Sequence, residues 1–191
     1  SGVEVRMVRS PLAVAVRLAG LLLPGLLLIT IPAAHGGQMA ETDLAAAQAV
    51  VVYLVRHAEK ATGGKDPDLT EAGRARAQAL ARTLGDAGIG AIHSTDFKRT
   101  RQTAAPLAER LGIAVRTYDW DELQALSAAM RAAGGRHLVV GHSDTTPELV
   151  GLLGGEPGPA IDEPSEYDRL YIVTIGPDGA ATSVLLRYGE R

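Results

Sequence analysis

The chain predicts an α/β fold: three layers, α/β/α, with a mostly parallel sheet and an antiparallel hairpin at its C-terminal edge. Three observations predict it. Short β-forming runs alternate four times with Ala- and Leu-rich helical segments after residue 50, the order that gives parallel strands with helices on both faces. The first of these runs, residues 50–55 (VVVYLV), is continuously apolar, as expected of a strand covered on both sides. The last two runs, 170–175 and 181–187, are joined by Pro177-Asp178-Gly179, a hairpin turn signal.

The elements follow in order. Residues 38–49 are Ala-rich and polar and are expected to form a linker or a first helix. The strand at 50–55 leads into a loop at 61–68, broken by Gly63-Gly64 and Asp66-Pro67-Asp68. Thr70 is a good N-cap for a helix running to about residue 87, closed by Gly88 and Gly90. A short strand is expected at 89–93 and a helix at 98–111, ended by Gly112. A strand at 113–118 and a helix at 121–133 follow, with Gly134-Gly135 as the stop. The next strand is placed at 137–140. Thr146 is read as the cap of a helix to residue 153, with Pro147 at its first position. A loop at 154–164 precedes the hairpin.

The 191 residues suit one domain with a sizeable core, residues 38–191, behind an N-terminal extension, residues 1–37. In that extension Arg6, Arg9 and Arg17 precede or interrupt an apolar run from Leu18 to Ile31, and small residues follow at Pro32-Ala33-Ala34. The pattern is that of a secretory signal peptide, with Met7 as the natural start. The alternative is a retained membrane anchor over residues 12–34; the apolar run is short for the ~20 residues a spanning helix needs. The protein is thus expected to be exported, periplasmic or extracellular, and to meet a membrane only if this segment is retained.

Composition narrows the chemistry. A net charge of −3 and a pI of 5.9 give no basic stripe for a nucleic acid, so no such partner is expected. The chain has no cysteine, which excludes disulfides, thiolate metal sites and a cysteine nucleophile. No His/Asp cluster has metal-ligand spacing, so neither metal nor cofactor is expected.

Two strand ends carry histidines, in Leu54-Val55-Arg56-His57-Ala58-Glu59 and in Val139-Val140-Gly141-His142-Ser143. Between them, Ser94-Thr95-Asp96-Phe97-Lys98-Arg99-Thr100-Arg101-Gln102-Thr103 is a basic segment past a third apolar run. In open α/β sheets ligands bind outside the carboxyl ends of the strands, so Arg56, His57, Arg99, Asp119 and His142 are all expected at one rim. Arginine forks match phosphate geometry, helix N-termini add N–H donors, and a histidine ring nitrogen can carry a covalent intermediate.

These three segments resemble the signatures of the histidine phosphatase superfamily, the phosphoglycerate-mutase-like fold. The first is similar to its Arg-His-Gly/Ala-Glu motif, the second to its second-arginine motif and the third to its second-histidine motif. The resemblance implies that His57 is the phosphorylated nucleophile and that Arg56, Arg99 and His142 hold the phosphoryl group. For the general acid it leaves Asp119, best placed by the strand reading, with Asp121 and Glu122 close behind and Asp144, near the second histidine, as the alternative. His93 and His137 are read as structural, Arg101 as a solvated helix charge, Glu59 as orienting or capping the loop after His57, and Trp120 as either pocket-lining or packed.

The implied activity is that of a metal-independent phosphatase, hydrolysing phosphomonoesters or phosphohistidine in a small-molecule or phosphoprotein substrate. The small phosphohistidine-phosphatase-like branch fits best, because the stretch between Arg99 and His142 is too short to hold a large cap. A phosphoglycerate-mutase-like phosphotransferase is the second reading, and a non-catalytic exported phosphate-binding module the third.

Overall fold

The computed structural model describes residues 49–190; the expected signal peptide or anchor and the linker or helix at 38–48 lie outside the described residues. The elements are β1 (Val50–Arg56), α1 (Glu71–Leu84), β2 (Ala91–Ser94), α2 (Lys98–Leu111), β3 (Val115–Thr117), α3 (Leu123–Ala133), β4 (Gly135–Gly141), α4 (Thr145–Leu152), β5 (Arg169–Ile175) and β6 (Ala181–Arg187). They form one six-stranded sheet in the order β3-β2-β4-β1-β5-β6. The first four strands are mutually parallel, and β5 is antiparallel to both β1 and β6. The expected mixed α/β sheet with an antiparallel C-terminal hairpin is therefore present.

Alternation along β1 divides the core into two layers. Val50, Val52 and Leu54 pack with Leu126 and Met130 of α3 and Leu149 of α4. Val55 packs on the other face with Leu80 and Leu84 of α1 and Leu107 of α2. Each side chain buried this completely contributes roughly 1.5–3 kcal/mol, so the continuous apolar run specifies the centre of the sheet.

Helix ends follow local chemistry. The Thr70 side chain accepts from the Gly73 N–H and caps α1. Phe97, which precedes α2, provides no side-chain cap; instead the Asp66 carboxylate, from the loop after β1, accepts from the Lys98 N–H at 2.9 Å. Gly112 closes α2 in the left-handed conformation at φ 65°.

Several boundaries differ from the sequence reading: β2 covers Ala91–Ser94 rather than 89–93, α1 ends at Leu84 rather than near 87, and α3 starts at Leu123 rather than 121. The third strand covers only Val115–Thr117 rather than 113–118; among the described residues it pairs with β2 alone, at Ile92, His93 and Ser94. The fourth begins at Gly135, paired with Val50 of β1, two residues before the expected start. Helix α4 is capped by Asp144, whose carboxylate accepts from the Thr145 N–H, and not by Thr146. The Thr146 hydroxyl is buried and donates to the Val55 carbonyl, tying α4 to β1.

The position of β4 sets the site. From β1 the chain crosses over β4 to reach β2, and from β4 it crosses over β1 to reach β5. The β1–β4 seam is thus the switch point of the sheet, where a crevice opens at the carboxyl ends of the strands.

Candidate active site

Register brings the two histidines together. Arg56 lies opposite Gly141, and the His57 N–H donates to the Gly141 carbonyl at 2.9 Å. One residue beyond this last rung, the His57 and His142 rings meet edge to face with centroids 5.5 Å apart. Gly141 permits the close approach: a Cβ there would lie 3.0 Å from the Thr145, Thr146 and Tyr118 oxygens. His57, Arg99 and His142 line one cleft of about 400 Å³, together with Lys60, Lys65, Phe97, Trp120, Asp144 and Glu163.

His57 is buried, and its Nδ1 lies 2.8 Å from the Ala58 carbonyl. A carbonyl only accepts, so Nδ1 carries the proton and Nε2 keeps its lone pair. Burial, with the Arg56 charge adding to it, pushes the His57 pKa down to about 3. His142 is pushed down to about 4, again by burial first and then by Arg99, with Asp144 opposing. Both rings are neutral at physiological pH, and His57 presents a nucleophilic nitrogen.

A hydroxyl chain sets the second ring. The Thr100 hydroxyl donates to the carbonyls of Thr95 and Phe97, so the Thr95 hydroxyl donates to Thr100 Oγ1 at 3.0 Å. Thr95 Oγ1 then accepts from His142 Nε2, also at 3.0 Å. His142 Nδ1 is left facing Arg99 Nη2 at 3.5 Å.

The arginines present free donors. Arg56 is only 1 % exposed; its Nη1 donates to the Glu166 carbonyl, while among the described residues its Nε and Nη2 have no hydrogen-bond partner, nor has Arg99 Nε. Each guanidinium lies over an aromatic ring, Arg56 over Tyr167 at 4.1 Å and Arg99 over Phe97 at 4.3 Å. Stacking fixes the plane of the fork and leaves its N–H edges for an anion. Asp66 lies 3.8 Å from Arg99 Nη1.

The scaffold beneath comes from the same motifs. Thr103 accepts from the Ala58 N–H and donates to the Arg99 carbonyl, joining the turn after β1 to α2. Glu59 accepts from Arg76 Nε with both oxygens and pins that turn to α1, an orienting role for this residue. Arg101 pairs with the exposed Asp96, away from the cleft. His93 and His137 form a buried stacked pair.

The structure brings His57, Arg99 and His142 to one cleft, while Arg56, the last residue of β1, precedes His57 and is not among the lining residues. The acid candidates do not all follow them: Asp119, Asp121 and Glu122 are exposed and do not line the cleft. Asp144 does line it, but serves as the α4 cap. Trp120 is at the rim and 56 % exposed, so it lines the cleft rather than packing into the core. Sequence reasoning missed Thr95, Phe97, Glu163 and Tyr167. The first two lie within the second-arginine motif; nothing in the chain marks the last two.

Fold and site together define an α/β protein with two histidines and an arginine lining one cleft at the carboxyl ends of its parallel strands. A family model described as the histidine phosphatase superfamily (branch 1) matches residues 52–127. A probable phosphoglycerate mutase GpmB of Yersinia pestis (strain Pestoides F) is 38% identical over 73 residues, 35% of this chain and 34% of that protein; the match thus spans about a third of the relative's length. Among solved structures, the protein histidine phosphatase SixA complexed with tungstate superposes with a TM-score of 0.58 at 21% identity, covering 72% of this chain and 96% of the other. The putative phosphohistidine phosphatase SixA from Nakamurella multipartitia gives 0.56 at 24%, covering 75% and 99%. A mycobacterial glucosyl-3-phosphoglycerate phosphatase gives 0.54 at 16%, covering 75% and 100%. The chain is thus similar to the histidine phosphatase superfamily over residues 52–127, and it shares its fold with these solved structures.

Proposed function

We propose that this protein is a phosphatase that hydrolyses phosphomonoesters or phosphohistidine through a phospho-His57 intermediate. One observation carries the reading: the buried Arg56 guanidinium, whose Nε and Nη2 make no hydrogen bond among the described residues, beside a neutral imidazole whose Nε2 lone pair is free. Buried donors without partners are costly, and a phosphoryl group supplies the missing acceptors.

In this reading the phosphoryl oxygens bind Arg56 and Arg99, and His57 Nε2 attacks phosphorus. A bound dianion favours the protonated form of a neighbouring base, so His142 takes a proton at Nδ1 and adds a third donor. Fixed donors aimed at developing charge are the largest usual source of transition-state stabilisation. The arginines and His142 supply the positive charge, so the scheme needs no metal. The phosphohistidine-phosphatase-like branch is supported by the SixA neighbours, and phosphoglycerate mutase activity is the second reading, favoured by the match to the GpmB relative. Export, possible through the Arg-flanked apolar segment of residues 1–37, is part of the proposal; the substrate is then a phosphorylated small molecule or phosphoprotein met outside the cytoplasm.

The test is turnover of an aryl phosphate, with and without chelator, coupled to acid-free quenching. Expected are hydrolysis that survives chelation and labelled protein whose phosphate is labile in acid and stable in base, as a phosphoramidate is. His57→Ala removes both. Label retained in that variant refutes His57 as nucleophile, and isomerisation of phosphoglycerate without phosphate release favours the mutase.

A further inference from the structure

We propose that Glu163 is the general acid–base residue of this site, a role that rests on the phosphatase reading above. Glu163 lines the cleft with His57, Arg99 and His142, and its Oε1 lies 3.9 Å from Arg56 Nη2. Its charge also acts on both Arg56 and Arg99, the two arginines assigned to the phosphoryl group. Among the described residues its carboxylate has no hydrogen-bond donor. The other acidic side chain of the cleft, Asp144, has one oxygen committed to the Thr145 N–H at the start of α4.

The side chain is 67 % exposed, but its loop is anchored. Arg169, itself buried, donates to the carbonyls of Pro159 and Ala160 and to the Glu166 carboxylate. The Tyr171 hydroxyl donates to the Pro157 carbonyl, and Glu166 accepts from the Asp162 N–H. Residues on both sides of Glu163 are thus tied to β5.

In the proposed cycle the Glu163 carboxyl enters the first half carrying the proton it took up in the preceding hydrolysis. The proton then has a use. His57 Nε2 bonds to phosphorus while the bond from phosphorus to the leaving oxygen breaks. The bonding pair goes to that oxygen, which takes the Glu163 proton. In the second half a water gives its proton to the Glu163 carboxylate as its oxygen bonds to phosphorus. The P–N bond breaks, its electrons return to Nε2, and phosphate leaves with Glu163 protonated again.

The experiment compares wild type, Glu163→Gln and Asp144→Asn on a nitrophenyl phosphate, a phenyl phosphate and an alkyl phosphate, with rapid-quench measurement of phospho-His57. For Glu163→Gln, the nitrophenyl ester should still phosphorylate His57 within a few-fold of wild type, because its leaving group needs no proton. Alkyl phosphate turnover should fall by about 10²-fold or more, and hydrolysis of phospho-His57 should slow. An equal change on all three substrates overturns the proposal, as does tighter phosphate binding alone, the mark of a carboxylate that merely fills the empty cleft. A leaving-group effect confined to Asp144→Asn also overturns it. Absence of phospho-His57 in the wild type removes the phosphatase reading and this role together; its presence with an unaltered leaving-group slope removes this role only.

Discussion

Acidification should destabilise the fold through a pair of histidines far from the cleft. His137 Nε2 donates to the Gly134 carbonyl at 2.9 Å, so its Nδ1 is an acceptor, and His93 Nε2 donates to it at 3.1 Å. His93 is 8% exposed; burial, then His137 and Arg116, pushes its pKa from the ordinary 6.5 down to about 4. A base whose folded pKa is lowered is neutral in the native state and charged in the unfolded chain. Its contribution is full above pH 6.5 and is lost as pH falls from 6.5 toward 4. The shift corresponds to about 3 kcal/mol below pH 4, of which about 2 kcal/mol is already lost at pH 5. His57 and His142, also lowered, act in the same direction, so the His93 share must be isolated by difference. The perturbation is His93→Gln, whose amide can still donate to His137 and does not titrate. Urea melts of both proteins at pH 8 and pH 5 give four stabilities. The variant should be less stable at pH 8, and the gap should close by about 2 kcal/mol at pH 5. A gap that stays constant between the two pH values refutes the reasoning.

Two further outcomes follow from the same geometry. For Gly73→Ala, in the first turn of α1, a Cβ would run into the Glu59 carbonyl, which is already bonded to the Thr70 N–H; a loss of about 1–3 kcal/mol in urea melts, with reduced turnover from displacement of the His57 turn, is expected, and a stabilised variant would contradict the structure. In the free protein, ring-nitrogen NMR shifts of His57 and His142 should stay at neutral-imidazole values from pH 8 to pH 5, since burial holds these groups at about 3 and about 4; a transition near 6.5 in either ring would show that it is solvated.

Much of this molecule is legible residue by residue. The unbroken run from Val50 to Val55 can only be satisfied between two helical layers, and β1 is buried against both. The cap at Thr70 and the stop at Gly112 are local chemistry and appear where the chain places them. The site histidines were legible because each sits where an apolar run ends, and strand ends in a parallel sheet share a rim. The Thr146 cap was not, because Asp144 and Thr146 are both competent caps on local grounds. The choice fell to Asp144 only because the Thr146 hydroxyl has the Val55 carbonyl to serve.

The sequence by itself provided grounds for the α/β class, for four parallel strands and for one rim holding Arg56, His57, Arg99, Asp119 and His142, of which His57, Arg99 and His142 line the cleft. These follow from periodicity, turn residues and strand ends, which act over a few residues. The tertiary structure alone decided that β4 inserts beside β1, that the two rings meet 5.5 Å apart, that Tyr167 and Phe97 orient the arginines and that Glu163 faces Arg56. Those pairings join residues up to more than a hundred positions apart, and their energies exist only once the sheet has closed the loops between them.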